Sequence, residues 1–102
     1  MRGRGNLAPM DEAENREEFD TGLRKIRHEI KSRLVHHGFF GTVGYVDADS
    51  VDSVPTGSNV EVAVNGRIVV RSFSRQEIEG CRLKVGGSVL SAIISMVDEL
   101  SA

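Results

Sequence analysis

Asn59-Val60-Glu61-Val62-Ala63-Val64-Asn65-Gly66-Arg67-Ile68-Val69-Val70-Arg71-Ser72-Phe73-Ser74-Arg75-Gln76-Glu77-Ile78 contains a hairpin and the start of a helix. Two β-branched, alternating runs flank Asn-Gly, a pair whose residues tolerate the positive φ that tight hairpin turns need. Two registers are open. A two-residue turn pairs Val62 with Val69, and places Arg67 and Arg71 on the face of Val60 and Val62. A three-residue loop with Gly66 in a G1 bulge pairs Val62 with Ile68 and gathers Val60, Val62, Ile68 and Val70 on one face. The second register separates charge from apolar surface better and is the one expected. Ser74 and Glu77 then stand at capping-box spacing, with Phe73 and Ile78 at the positions of a hydrophobic staple.

N-terminal to this unit, Phe19, Leu23, Ile26, Ile30 and Leu34 step by four, three, four and four, the stripe of an amphipathic helix over about residues 11–37. Gly38 is its expected C′ stop. Gly22 weakens the start and leaves Asp20 or Thr21 as an alternative N-cap. Residues 41–46 are β-prone, and residues 47–58 read as a polar loop containing Pro55 and Gly57.

On the C-terminal side a short helix ends near Gly80. Cys81, Leu83 and Val85 alternate as a short strand or extended link, and Gly86-Gly87-Ser88 opens a last helix with Ser88 as N-cap. From Val89 to Leu100 the apolar residues sweep about 200° of the helical wheel, an arc wide enough to be covered on two sides. The fold expected is therefore α+β: an N-terminal amphipathic helix, about three mostly antiparallel strands with an Asn-Gly hairpin, a short capped helix and a buried C-terminal helix. Residues 1–10 are expected to be a disordered tail and residues 11–102 a single small domain.

The hairpin from Val62 to Val70, followed by Phe73-Ser74-Arg75-Gln76-Glu77-Ile78, resembles a family of small proteobacterial domains of unknown function. In that family a hairpin leads directly into a helix opened by Ser and an acidic residue. The resemblance covers residues of about 60–80, a quarter of the chain. The long N-terminal helix departs from the family's usual start. The resemblance implies no catalytic or binding residues, only a bacterial origin and a small hairpin–helix fold.

The chain of 102 residues has a net charge of −2 and one cysteine, so it has no internal disulfide framework. No apolar run reaches bilayer-spanning length, and the basic start lacks the apolar core of a signal peptide, so a cytoplasmic protein with no membrane contact is expected. His28 and the adjacent His36 and His37 lie too far apart on a helix for one tetrahedral metal site, and they read as helix-end histidines. Asp47-Ala48-Asp49 has the opening of a calcium loop, but the Gly and Glu that such a loop needs later are missing. Cys81, beside Arg82 and Lys84, could have its pKa lowered, but no sequence signature pairs it with a base. Lys84-Val85-Gly86-Gly87-Ser88 lacks the spacing of a phosphate-binding loop. Neither a metal, a cofactor nor a catalytic constellation is expected.

Charge is segregated along the first helix. Residues 10–20 carry six acids against Arg16, whereas residues 21–37 carry five Lys and Arg residues against Glu29. Arg24, Lys25, Arg27, His28 and Lys31 span about 160° of the wheel as one cationic face. They are the candidate contact residues for an anion or nucleic acid, with Phe39 and Phe40 as candidate stacking residues. The function expected is a non-enzymatic interaction or regulatory module with a protein partner. The alternative is nucleic-acid binding through the basic face, and a homodimer could form through the C-terminal helix.

Overall fold

The computed structural model describes the backbone of residues 7–51 and 54–102, and the side chains of residues 16–50 and 54–102. Among the described residues the chain order is α1 (Leu7–His36), β1 (Thr42–Asp47), β2 (Ser50–Val51), β3 (Val54–Pro55), β4 (Gly57–Val64), β5 (Arg67–Ser74), α2 (Arg75–Gly80) and α3 (Gly87–Ser101). Strands β1, β4 and β5 form an antiparallel sheet in the order β1-β4-β5, and β2 pairs with β3 in a separate two-stranded ladder. This is the α+β architecture expected. Residues 7–10 of the expected tail are instead the first residues of α1, and residues 1–6 lie outside the described residues.

The hairpin register is a correction. Val62 pairs with Val69, Val64 with Arg67 and Val60 with Arg71. Asn65 and Gly66 have φ of 51° and 81°, so the connection is a two-residue turn with both central residues at positive φ. The expected bulge, with Val62 facing Ile68, does not form. Arg67 and Arg71 therefore share a face with Val60, Val62 and Val64, yet neither enters the core. Both sit on the edge strand beneath the C-terminal end of α3. The Arg67 guanidinium donates to the main-chain oxygens of Glu99, Ala102 and Leu100 at 2.9, 2.9 and 3.4 Å, and Arg71 pairs with the Glu99 carboxylate. The last carbonyls of a helix have no partner inside it and carry its negative pole, so a cation under them is stabilising.

Helix α1 contributes the buried stripe read from the sequence: Phe19, Leu23, Ile26, Ile30 and Leu34 are 6% exposed or less. They meet Val60, Val62 and Val64 of β4, Phe73 of β5, Ile78 of α2 and Val89, Ile93, Met96, Val97 and Leu100 of α3 in one cluster. The helix passes through Gly22 without a break. A Cβ there would overlap the Ile78 carbonyl, so Gly22 is the point where α1 and α2 approach closely and is not a weak N-terminus. At the far end Phe39 N–H donates to Leu34 O and Gly38 N–H to Val35 O, both 2.9 Å, with Gly38 at φ 83°. These are the two bonds of a Schellman stop.

The capping box forms as expected. Glu77 N–H donates to Ser74 Oγ at 3.1 Å and Ser74 N–H to Glu77 Oε1 at 2.9 Å. Phe73 and Ile78 are both buried in the core. Ser88 is not the N-cap of α3: Gly86 takes that position, and the Ser88 hydroxyl instead donates to Glu77 Oε2 at 3.0 Å, linking α3 to α2. Residues 81–85 form a turn and a link, with no strand. The loop before β4 is less polar than it reads, because Val54 and Pro55 of β3 are buried and lie against α1.

The helices cover one face of the sheet. The other face leaves Val46, Ile68 and Val70 exposed around Glu61. The wide apolar arc of α3 is used mainly within the chain, against β5 and α1. Leu90 is half-buried and Ile94 is exposed.

Candidate functional site

The cationic face of α1 is a consequence of where its apolar stripe goes. With Leu23, Ile26, Ile30 and Leu34 turned into the core, the 3.6-residue period carries the residues between them outward. Arg24, Lys25, Arg27, His28 and Lys31 are all exposed, spread over about 160° of the helix surface. Arg24 donates to Thr21 Oγ1 at 3.0 Å. Among the described residues, Lys25, Arg27, His28 and Lys31 form no ion pair. Most of the nearby acids are engaged elsewhere: Asp20 with Arg16 at 3.3 Å, Glu29 with Arg33 at 2.7 Å, and Glu18 with Arg82 at 3.5 Å.

The neighbours of this face come from distant segments. Lys25 and His28 border a groove of about 380 Å³ whose opposite wall is Leu83, Lys84, Val85 and Leu90; Leu83 is 83% exposed. Lys31 lies beside Val35, Phe39 and Phe40 at the C-terminal end of the helix. Phe40 is 88% exposed, and Val35 58%. The two phenylalanines therefore divide: Phe39 packs against the core and Phe40 faces solvent. Sequence reasoning did not place Lys84, Leu83 or Val35 at the site. For Lys84 and Leu83 no local signal existed, since they arrive through the packing of α2 and α3 on α1. Val35 was detectable as an apolar residue lying off the core stripe.

Arg27 also lies near Tyr45 of β1, whose hydroxyl donates to the Leu23 carbonyl at 3.0 Å and fastens the sheet edge to the helix. Burial raises the Tyr45 pKa above the ordinary tyrosine value, with the Arg27 charge acting in the opposite direction. Cys81 does not have the activated environment that its basic neighbours suggested. It is 3% exposed, and burial raises its pKa, opposed by a hydrogen bond from the Gly86 backbone and reinforced by the Glu77 charge. Arg82 turns away from it, to the Glu79 carbonyl at 2.9 Å and to Glu18. Glu77 is shifted the other way. The Ser74 amide hydrogen bond lowers its pKa, partial burial opposes this, and the Ser88 and Ser74 hydroxyls add to the lowering.

Among the described residues no group of three His, Cys, Asp or Glu side chains could hold a metal ion. No helix among them is long and apolar enough to cross a membrane. No protein-family model, curated protein or solved structure matches this chain.

Proposed function

We propose that this chain is a small non-enzymatic interaction module of a bacterial cytoplasm, and that the basic flank of α1 is its contact surface for an acidic protein segment. The observation that supports this is the set of basic side chains Lys25, Arg27, His28 and Lys31, which stand exposed and without ion pairs among the described residues. Charges left unpaired on one flank raise the local concentration of an opposite charge and orient its approach. A short acidic segment can lie on the basic half of α1 alone, clear of the net −5 over residues 10–20 that repels any longer polyanion, a nucleic acid included.

The test is binding of the full chain to polyglutamate, compared with the variant Arg24→Gln, Lys25→Gln, Arg27→Gln, Lys31→Gln. All four positions are exposed, so the variant should keep its fold. The wild type should bind at low ionic strength and progressively lose binding as salt screens the contact; the variant should not bind. Equal binding by both proteins, or none by the wild type, overturns the reading. One observation favours a second reading, nucleic-acid binding: Phe40, fully solvated next to Lys31, is placed to stack on a base. Tighter binding to single-stranded DNA than to polyglutamate, lost on Phe40→Ala, would establish that reading instead.

A further inference from the structure

Lys25 and His28 face a groove of about 380 Å³ whose far wall comes from α3 and from residues 81–86, the link between α2 and α3. That link carries a base of its own. Lys84 is exposed and forms no ion pair among the described residues. Basic side chains therefore stand on both walls, Lys25 and His28 on α1 and Lys84 across from them. Glu29 and Arg33, which also line the groove, are paired with each other at 2.7 Å. Arg27 and Lys31 border other surfaces: Arg27 is near Tyr45 of β1, and Lys31 lies beside Phe39 and Phe40.

Among these bases the groove is lined by aliphatic side chains, Leu83, Val85 and Leu90. Leu83 is 83% exposed, and the backbone that carries it is anchored on both sides. On one side Cys81 is buried, its N–H donating to the Ile78 carbonyl at 3.0 Å, and Arg82 N–H donates to the Glu79 carbonyl at 3.2 Å. On the other side Val85 packs against the core. A single exposed leucine is ordinary on a protein surface. This one stands in a concave site with bases on both walls. Such a site attracts carboxylates by charge, and it offers apolar surface to a ligand that also brings an aliphatic group.

We propose that this groove binds a peptide segment in which aliphatic residues are interspersed among acids. An aliphatic side chain of the segment sits on Leu83, Val85 and Leu90, and the carboxylates flanking it meet Lys25 and Lys84. This rests on the reading of the basic flank as a surface for an acidic segment. It adds that the segment is amphipathic, and that it lies on the Lys25 and His28 side of α1. Charge steers the segment in, and burial of its aliphatic side chain holds it there. Because the link is already anchored, little ordering of the receiving side opposes binding.

The experiment is titration of the full chain with two short peptides of equal length, polyglutamate and a polyglutamate with leucine at every fourth position. The leucine peptide carries fewer charges, so attraction by charge alone makes it the weaker ligand. The wild type should instead bind it about tenfold more tightly, the gain expected from burying one leucine side chain. Part of that binding should survive at a salt concentration that abolishes the polyglutamate complex. Leu83→Ser, at an exposed position, should keep its fold by circular dichroism and lose the preference while still binding polyglutamate. Lys25→Gln combined with Lys84→Gln should weaken both complexes, whereas Phe40→Ser, beside Lys31, should leave the preference unchanged. In the wild type the Leu83 and Leu90 methyl resonances should shift on adding the leucine peptide and stay in place on adding polyglutamate, which asks the same question without a substitution. A leucine peptide that binds no tighter than polyglutamate, a preference that survives Leu83→Ser, or one lost on Phe40→Ser overturns the proposal. So does a chain that self-associates and becomes monomeric on Leu83→Ser, since a second copy then fills the groove. Polyglutamate binding with no preference for leucine rejects the amphipathic segment alone; binding of neither peptide rejects both readings.

Discussion

Arg67, the first residue of β5, donates from Nη2 to the carbonyl of Glu99, 2.9 Å away in the last turn of α3. Together with the Ala102 and Leu100 oxygens this gives one guanidinium three main-chain acceptors at a helix end. Arg67→Ala should destabilise the protein by about 1 kcal/mol, the upper part of the usual range for a cation at an exposed helix C-terminus. Lys in its place should recover part of the loss, because an ammonium supplies the charge without the planar fork. Chemical denaturation measures the difference, and hydrogen exchange should localise it to the last turn of α3. An Arg67→Ala protein of unchanged stability would show that the contact contributes nothing.

Gly22 lies where a Cβ would overlap the Ile78 carbonyl. In an isolated helix Gly→Ala gains about 1 kcal/mol from propensity. Here Gly22→Ala should instead destabilise, because α1 and α2 must separate; overpacking of this kind costs about 1–3 kcal/mol. A rise in melting temperature on this substitution would contradict the close approach of the two helices.

Ser74→Ala should cost about 1 kcal/mol, as removal of an N-cap usually does. The reciprocal partner adds a pH dependence. Because hydrogen bonding lowers the folded pKa of Glu77, its contribution is fully present above the unfolded carboxyl value of about 4.3. It is lost as pH falls through the lower folded value. Glu77→Gln should flatten this part of the stability profile in acid, measured by denaturant titration at successive pH values.

Cys81 and Tyr45 should respond at the opposite end of the scale. Both have raised pKa values, so their stabilising contributions are present below the unfolded values and decline as pH rises through the folded ones. The chain has one tyrosine and no tryptophan, so the phenolate absorbance reports Tyr45 alone. Its midpoint in the folded protein should lie above that of the unfolded chain. Cys81 should react with a thiol reagent slowly in the native state and rapidly in denaturant. Fast native labelling would mean that the thiol is accessible and activated.

Much of this molecule was legible locally. The stripe from Phe19 to Leu34, the stop at Gly38 and the capping box at Ser74 and Glu77 each depend on residues within a few positions of one another, and sequence spacing reports such relationships directly. The five basic residues of α1 were legible for the same reason, since a helix that buries one stripe must expose the rest. Three features depended on segments far apart in the chain. The hairpin register could not be chosen by segregating charge within the hairpin, because the acceptors that draw Arg67 and Arg71 to the inner face lie in α3, about 30 residues further on. Gly22 could not be read as a crossing point without the position of Ile78. Lys84 and Leu83 join the basic flank only because α2 and α3 fold back against α1. Local hydrogen bonding and helical periodicity set the elements; the contacts between those elements decided which strand register, which glycine and which distant side chains completed the surface.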